Sequence, residues 1–308
     1  MTLSRRRFLT IASAACLTSA AFGACASTYR WQGIALGAKA QIILDHPDAA
    51  HISARAQAEI SRLEGVFSLY RADSDLMRLN AAGRLDAPSF EMLDCLAVAR
   101  RVHDITEGRF DPTVQPLWQV VAQAAAQGQA PAAADVAAAA DLVGFGRVRF
   151  DSEAVQLDAG QALTLNGIAQ GYIADRVAQL LRSEGITDVL IDTGEIAALG
   201  VAPDGSANGA GWPVTIAGES AAHVLRDRAI ATSALMGTVL DGAGTQGHIL
   251  DPRTATLRPR GAKQLSVSSR SAALADGLST GLSMVDTAQE ARDLLSIVKD
   301  ARLESFIT

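Results

Sequence analysis

Cysteine is nearly absent from this chain outside its first residues. Only three cysteines occur among 308 residues, and two of them, Cys16 and Cys25, lie close to the N-terminus. If that terminus is removed, Cys95 remains alone and no intrachain disulfide can form. Cys95 lies in the apolar, helix-like run "FEMLDCLAVARRVH", where a small core residue is a better interpretation than a nucleophile.

Positive charge is also scarce, because 27 Lys and Arg residues are outnumbered by 33 Asp and Glu residues, for a net charge of -6. No Lys/Arg cluster occurs beyond the first few residues, which argues against a nucleic-acid partner. No repeat, linker or low-complexity tract marks a domain boundary. With 49 % hydrophobic residues, the chain is long and apolar enough to fold around a large core.

The N-terminus has the three parts of an export signal. The stretch "SRRRFLT" is basic, "IASAACLTSAAFG" is apolar, and "ACA" is a small-residue cleavage site. We predict that residues 1–26 are a twin-arginine-type signal peptide, that residues 27–308 form a single domain, and that the mature protein is periplasmic. An ordinary secretory leader and lipid attachment at Cys25 are the alternatives. The apolar run is too short for a comfortable membrane span.

Hydrophobic spacing predicts a mixture of helices and strands, either α/β or α+β. Two amphipathic helices begin the mature chain. Their apolar positions are Ile52, Ala56, Ile60, Leu63 and Phe67 in the first helix, and Phe90, Leu93, Ala97 and Val98 in the second. The runs "AQIIL", "VRF", "TDVLID", "WPVTIAG" and "HVLRDRAIATS" are predicted strands.

Two segments have the features of ligand-binding turns. "NGIAQGYIADRVAQLLRSEG" begins with Asn166 and Gly167 and continues as an amphipathic helix, whose glycine-flanked N-terminus could hold a phosphate. "IDTGEIAALG" follows a strand and places polar residues from Asp192 to Glu195 at its end, where ligands often bind. Glycine at a strand-to-helix turn and a plain strand exit remain the alternatives.

The third candidate is the helix in "SAALADGLSTGLSMV", which has one apolar face and one polar face. Asp276 and Thr280 are four residues apart, so their oxygens lie on the same face. Such a pair suits a hard cation such as Mg²⁺, which takes its other ligands from water and phosphate. The alternative is a solvated helix face with Thr280 bonded back to the chain.

His248 and Asp251 form a fourth candidate in "GTQGHILDPRT". A single histidine without a second histidine or cysteine at ligand spacing argues against zinc. Asp251 precedes Pro252, so we predict extended backbone that ends a strand and aims the Asp251 side chain outward. His248 could act as a base near neutral pH, or it could be a polar turn residue.

Taken in order along the chain, these segments resemble the ApbE family, the FAD:protein FMN transferases. The resemblance covers nearly all of the mature chain. It is carried by "EGVFSLYRADSDLMRLN", "GRFDPTVQPLW", "NGIAQGYIADRVA", "LIDTGEIAALG", "IATSA", "HILDPRTA" and "ALADGLSTGL". The resemblance implies an α+β, T-fold-like unit of two lobes, with FAD bound in the central cleft and Mg²⁺ near its pyrophosphate.

The family's site residues are carried over position by position. The resemblance implies metal binding by the Asp276 and Thr280 side chains and by the Gly167 carbonyl. It implies that His248 is the base and that Asp251 positions it. The implied flavin and nucleotide contacts are Ser68, Tyr70, Asp73, Asp75, Gln170, Asp192, Thr193, Gly194, Glu195, Thr232 and Ser233.

The implied reaction moves FMN from FAD to a Ser/Thr hydroxyl of a partner protein and releases AMP. The implied acceptors are extracytoplasmic electron-transfer proteins such as NosR or subunits of the Nqr and Rnf complexes, with a NosX-like branch suggested by the leader. An FAD pyrophosphatase that gives FMN and AMP, an exported flavin-binding protein without turnover, and a solute-binding or structural protein of the same fold are the alternatives.

The sequence departs from the family pattern at several positions. Gln170 stands where most members have Lys, so a positive charge near the phosphates is missing. Asn166 interrupts a Gly-Gly pair, and Thr193 and Glu195 replace the first glycine and the acid of "GGD". Ala234 and Ala255 likewise replace glycines. The missing Lys predicts altered nucleotide handling.

Overall fold

The computed structural model describes residues 28–237, 239, 247–255 and 262–308, so the predicted signal peptide lies outside the described residues. Its strands are β1 (Tyr29–Ala35), β2 (Ala38–Leu44), β3 (Arg84–Asp86), β4 (Arg149–Phe150), β5 (Ala154–Gln156), β6 (Val189–Asp192), β7 (Ile196–Leu199), β8 (Trp212–Thr215), β9 (Ala222–Leu225), β10 (Arg228–Ala234), β11 (Gln264–Ser269) and β12 (Arg302–Ile307). Its α-helices are α1 (Ala49–Phe67), α2 (Asp75–Ala82), α3 (Phe90–Ile105), α4 (Gln115–Ala126), α5 (Ala133–Ala140), α6 (Ala169–Ser183), α7 (Ala272–Leu282) and α8 (Ala288–Leu295).

A seven-stranded sheet forms the centre, in the order β1-β2-β6-β7-β10-β11-β12. All of its neighbouring strands pair antiparallel. An antiparallel sheet with helices packed on it is α+β rather than α/β, which confirms the predicted fold class. Asp192 pairs with Ile196 at the end of the β6–β7 hairpin, so the sheet holds the turn between them in place.

Two hydrophobic cores cover the opposite faces of the central sheet. Leu190 and Ile191 are adjacent on β6 and enter different cores, as alternation along a strand requires. The larger core lies under helices that include α1, α3, α6 and α7. The smaller core lies under the β8–β9 hairpin and includes Trp212, whose indole N–H donates to the Leu199 carbonyl at 2.7 Å.

The predicted apolar stripe of the first helix is confirmed, since all five of its residues are buried in α1. The stripe predicted for α3 holds at Leu93 and Val98, which pack against the larger core, and is wrong at Phe90 and Ala97. Phe90 is 66 % exposed and Ala97 is also exposed, because Ser89 caps the helix and leaves Phe90 in its solvent-facing first turn. The buried face includes Cys95, whose thiol has its pKa raised by burial, as expected of a core residue.

Four of the five predicted strand runs correspond to single strands, whereas "HVLRDRAIATS" contains two. Strands β9 and β10 are separated at Asp227, which has a positive φ of 49°. Strand β9 pairs with β8, while β10 joins the central sheet between β7 and β11. No helix within the described ranges is both long and apolar enough to cross a membrane.

Helices α6 and α7 meet at a backbone-to-backbone contact. A Cβ atom on Gly171 of α6 would lie 2.3 Å from the Ala272 carbonyl oxygen of α7. The Gly171 amide also donates to Oδ2 of Asp276 at 3.1 Å. Only glycine allows the two helices to approach this closely, so the position of Asp276 depends on Gly171.

We expect Gly171→Ala to lower the free energy of unfolding by about 1–3 kcal/mol, because the added methyl group would push α7 away. Gly65→Ala in α1 is the matched control, since its Cβ would meet nothing closer than 3.9 Å. Removing a helical glycine there should stabilise the protein by about 0.5–1 kcal/mol. Urea denaturation of both variants measures the difference, and equal effects at the two positions would contradict the close contact.

Candidate active site

The contact between α6 and α7 buries one carboxylate. Asp276 is only 3 % exposed, although it lies on the helix face that the sequence marks as polar. Its bond from the Gly171 amide fixes one oxygen and leaves the other available. The interpretation of this face as a solvated surface is therefore wrong for Asp276.

Thr280 lies one turn beyond Asp276, beside the loop that precedes α6. A Cβ atom on Gly167 would lie 2.9 Å from the Thr280 hydroxyl oxygen, so the Gly167 backbone and this hydroxyl are in direct contact. The Ser233 hydroxyl lies 3.4 Å from the Thr280 hydroxyl and 2.8 Å from that of Ser279. The structure thus brings the three predicted metal ligands to the start of α6 and the middle of α7.

Glu195 adds a second carboxylate to this region. Its Oε2 accepts the Thr232 amide at 3.1 Å. Burial raises the pKa of Asp276 from an ordinary 3.8 to about 7, and the nearby charge of Asp175 adds to the effect. Burial and the charge of Asp276 raise the pKa of Glu195 well above its ordinary value. Neither carboxylate forms an ion pair with a Lys, Arg or His of the described residues.

The donor set fits a hard cation that keeps outside ligands. It offers a buried carboxylate from Asp276, a hydroxyl from Thr280 and the backbone of Gly167, which are all oxygen donors. No group of three or more His, Cys, Asp and Glu side chains with metal-site geometry occurs in the described part of the chain. Mg²⁺ binds in this manner when phosphate oxygens and water complete its coordination.

The β6–β7 turn packs onto the start of α6. Asp192 accepts the Gly194 amide at 2.9 Å and the Gln41 side-chain amide at 3.2 Å, and burial raises its pKa. The Thr193 hydroxyl donates to the Gln170 carbonyl at 2.8 Å. The Asp192 and Thr193 side chains therefore hold the turn in place, and the structure brings this predicted nucleotide segment next to Gln170.

Gln170, which stands in place of the family's usual Lys, lies under this turn. It is 6 % exposed, and its Nε2 is buried with no hydrogen-bond partner among the described residues. A Cβ atom on Gly194 would lie 2.5 Å from that nitrogen, so the turn passes directly over it. An unpaired buried amide costs about 1–3 kcal/mol. Gln170 contributes no charge here, but it has a donor that the described fold leaves unused.

In the segment from Ser68 to Asp75, Ser68 shapes the backbone turn and Tyr70 lies partly exposed. The Ser68 hydroxyl accepts the amides of Tyr70 and Arg71 and so shapes the turn after α1. The Tyr70 ring is about half exposed, while its hydroxyl end lies beside Asn166, and desolvation of that end raises its pKa. The Asn166 contact places Tyr70 next to the loop that holds Gly167.

The two acids of this segment lie apart from that loop. Asp73 is exposed and lies 3.5 Å from Arg71. Asp75 begins α2 and pairs with Arg78 within the same helix. Of the four predicted flavin contacts, the described hydrogen bonds therefore bring only Tyr70 to the Gly167 loop.

The sequence predicted that the Asp251 side chain points outward, and this prediction is wrong. It is 7 % exposed, and its two oxygens bind the Arg253 guanidinium at 3.1 and 2.9 Å and the Arg253 amide at 3.0 Å. Burial opposes ionisation of Asp251, but the bonds from Arg253 outweigh it and hold its pKa below the usual range. The bonds make a compact Asp-Pro-Arg turn, and His248 is half-buried three residues before it.

Sequence reasoning missed a buried arginine whose charge acts on Asp251. Arg109 is 8 % exposed and donates to Glu290 at 2.6 Å and to Glu107 at 2.9 Å. Its charge also lowers the pKa of Asp251. Arg109 lies within the quoted segment "GRFDPTVQPLW", but its partner Glu290 is 181 residues away, and no local pattern predicts that pairing.

Solved structures named as ApbE proteins share this fold. The ApbE protein of Thermotoga maritima matches with a TM-score of 0.78 and 23 % identity, over 90 % of this chain and 93 % of that one. The flavin transferase ApbE of Vibrio cholerae matches with a TM-score of 0.74 and 24 % identity, over 90 % and 94 % of the two chains. These matches confirm the predicted ApbE-like architecture.

Sequence comparison leads to the same family. Residues 36–305 match the model of the ApbE family. The FAD:protein FMN transferase of Vibrio cholerae is 31 % identical over 247 residues, which are 73 % of this chain and 72 % of the relative. The enzyme of the same name from Salmonella typhimurium is 28 % identical over 82 % of this chain and 76 % of its own length. This chain belongs to the ApbE family, as the resemblance of its motifs predicted.

The raised pKa of Asp276 predicts how stability depends on pH without metal. Because the folded-state pKa lies above the unfolded value, ionisation destabilises the fold. The free energy of unfolding should therefore fall as pH rises from about 4 to about 7. The raised pKa corresponds to at most about 4 kcal/mol. We expect Asp276→Asn to reduce this fall and to be the more stable protein at pH 8 in EDTA.

Urea denaturation at pH 5 and pH 8, in EDTA and then in Mg²⁺, checks this prediction. Mg²⁺ should stabilise the wild type at pH 8 and leave Asp276→Asn unchanged, because the variant lacks the anionic ligand. Parallel pH dependence of the two proteins in EDTA would contradict the buried charge. Equal stabilisation of both proteins by Mg²⁺ would place the cation elsewhere.

Proposed function

We propose that this protein transfers FMN from FAD to a Ser or Thr hydroxyl of a partner protein, with Mg²⁺ bound by Asp276, Thr280 and Gly167. The observation that carries the proposal is the buried Asp276 carboxylate, which accepts the Gly171 amide and has no cationic partner among the described residues. The Thr280 hydroxyl lies one turn further along α7, against the Gly167 backbone. The names of its relatives give the same activity.

The cation, when bound, neutralises charge on the pyrophosphate of FAD and on the departing AMP. The acceptor oxygen forms a bond to the phosphorus of the FMN half, and the bond from that phosphorus to the AMP oxygen breaks. AMP leaves, and His248 takes the proton of the acceptor hydroxyl. The Asp251–Arg253 pair keeps compact the turn that begins three residues after His248.

Gln170 sets how this chain handles the phosphates. A lysine would bring a positive charge to the start of α6, whereas the amide of Gln170 offers one neutral donor. The charge of the nucleotide must then be balanced by Mg²⁺ and by the N-terminal amides of α6. FAD affinity should accordingly depend more steeply on Mg²⁺ than it would with lysine at this position.

The partner follows from the predicted export signal. A protein that is exported by a twin-arginine-type leader and works in the periplasm would meet its acceptor there. We therefore infer that the acceptor is an extracytoplasmic electron-transfer protein of the NosR, Nqr or Rnf kind.

The test is an intact-mass assay of the mature protein with FAD, Mg²⁺ and a soluble acceptor domain of the NosR or Nqr type. The wild type should add one FMN to the acceptor and release AMP. His248→Ala and Asp276→Ala should each lower the rate at least about 100-fold, because general-base catalysis contributes about 10²–10⁴ and the second variant loses the metal.

Matched controls are His51→Ala and Asp135→Ala, which remove the same side chains from exposed positions on α1 and α5. Both controls should keep the wild-type rate. AMP release without an adduct would replace transfer by hydrolysis of FAD. FAD binding with neither product would make the protein a flavin carrier.

A further inference from the structure

A groove of about 730 Å³ lies between α2, the start of α4 and the loop that follows β5. Its lining includes Leu69 and Met77 on one side and the amide side chains of Gln115 and Gln119 on another. None of the residues assigned above to the cation or to proton transfer lines it. The groove is therefore separate from the candidate cation site.

Gln115 is the unusual member of this lining. It is only 6 % exposed, and no described residue forms a hydrogen bond with its side-chain amide. The other buried amides of the groove are occupied, since Asn80 binds both backbone groups of Leu163 and Gln161 donates to the Leu142 carbonyl. Its amide is not among the fully buried side-chain groups without a partner, so the nitrogen and oxygen reach the open groove and present a donor and an acceptor there.

Gln119 extends this amide surface. It lies four residues after Gln115, on the same face of α4, and it is exposed. Two amide side chains in a row match the alternating N–H and C=O groups of an extended peptide. The remaining lining is largely apolar and small, which suits side chains without charge.

The charge of the groove excludes a phosphate ligand. No Lys, Arg or His lines it, and its charged member, Asp158, pairs with Arg147 at 3.4 Å. A nucleotide phosphate placed there would have no cation to balance it. The groove therefore suits an uncharged ligand and differs from the site for the pyrophosphate.

The lining of the groove is linked to the loop of the candidate active site through Asn80 and Leu69. Asn80 lines the groove and holds Leu163 at 2.7 and 2.8 Å, and Leu163 precedes Gly167 by four residues. Four residues span at most about 13 Å. Leu69 also lines the groove, and the adjacent Tyr70 contacts the loop of Gly167. A short extended peptide can therefore reach from the groove to the cation site.

We propose that this groove binds the segment of the acceptor protein that flanks the modified hydroxyl, as an extended and uncharged peptide hydrogen-bonded to Gln115 and Gln119. The proposal rests on the proposed function, since it supplies that function with its protein-binding surface. It also assigns selectivity for the acceptor to residues that take no part in phosphoryl transfer.

The experiment measures acceptor binding and FAD binding separately. Fluorescence anisotropy of the labelled NosR- or Nqr-type acceptor domain gives the first, without any need for turnover, and quenching of FAD fluorescence gives the second. Gln115→Leu should weaken acceptor binding about 5- to 10-fold, because it removes one or two neutral hydrogen bonds. Gln119→Ala and Ala159→Trp, which alter exposed positions of the groove, should also weaken it.

Gln123→Ala is the matched control, because Gln123 is exposed on α4 one turn beyond Gln119 and does not line the groove. It should leave acceptor binding unchanged, and no variant should change FAD affinity. Wild-type acceptor affinity in the three groove variants, or no binding by the wild type, would overturn the proposal. Weakened FAD binding would assign the groove to the flavin instead. If the acceptor binds through the groove and no FMN is transferred, the proposed function fails while this surface stands.

Discussion

The hydrogen bond from the Gly171 amide to Asp276 is the interaction on which the candidate site depends. It requires the backbones of α6 and α7 to touch, and glycine at position 171 permits that contact. The same approach brings Thr280 against Gly167 in the loop before α6. A local packing constraint thus determines the geometry of the proposed cation ligands.

The burial of two carboxylates in this region is unfavourable for folding and points to a role in cation binding. Two carboxylates, Asp276 and Glu195, are held where desolvation disfavours their charge. Such a pair does not stabilise the fold by itself. A divalent cation bound with a pyrophosphate would compensate the unfavourable desolvation of the carboxylates. The unpaired amide of Gln170 beside them has the same character, as a donor without a partner in the described fold.

The sequence predicted what depends on local spacing and missed what depends on tertiary contact. The four-residue spacing of Asp276 and Thr280 placed both on one face of α7, and the structure confirms that placement. The spacing could not show that this face is buried at Asp276, because the burial comes from packing against α6. The prediction that Asp251 points outward was wrong. The Asp-Pro pattern constrains the backbone but does not show that Arg253 binds the side chain. No sequence pattern marked Gln115 as a binding residue, because its amide faces the groove only in the folded protein.

The most direct measurement of the central claim is a crystal structure with FAD and Mn²⁺, in which anomalous scattering locates the metal. The account predicts one peak bound by the Asp276 carboxylate, the Thr280 hydroxyl and the Gly167 carbonyl, next to the FAD pyrophosphate. FAD bound with the metal held by other residues, or with no metal beside Asp276, would contradict it.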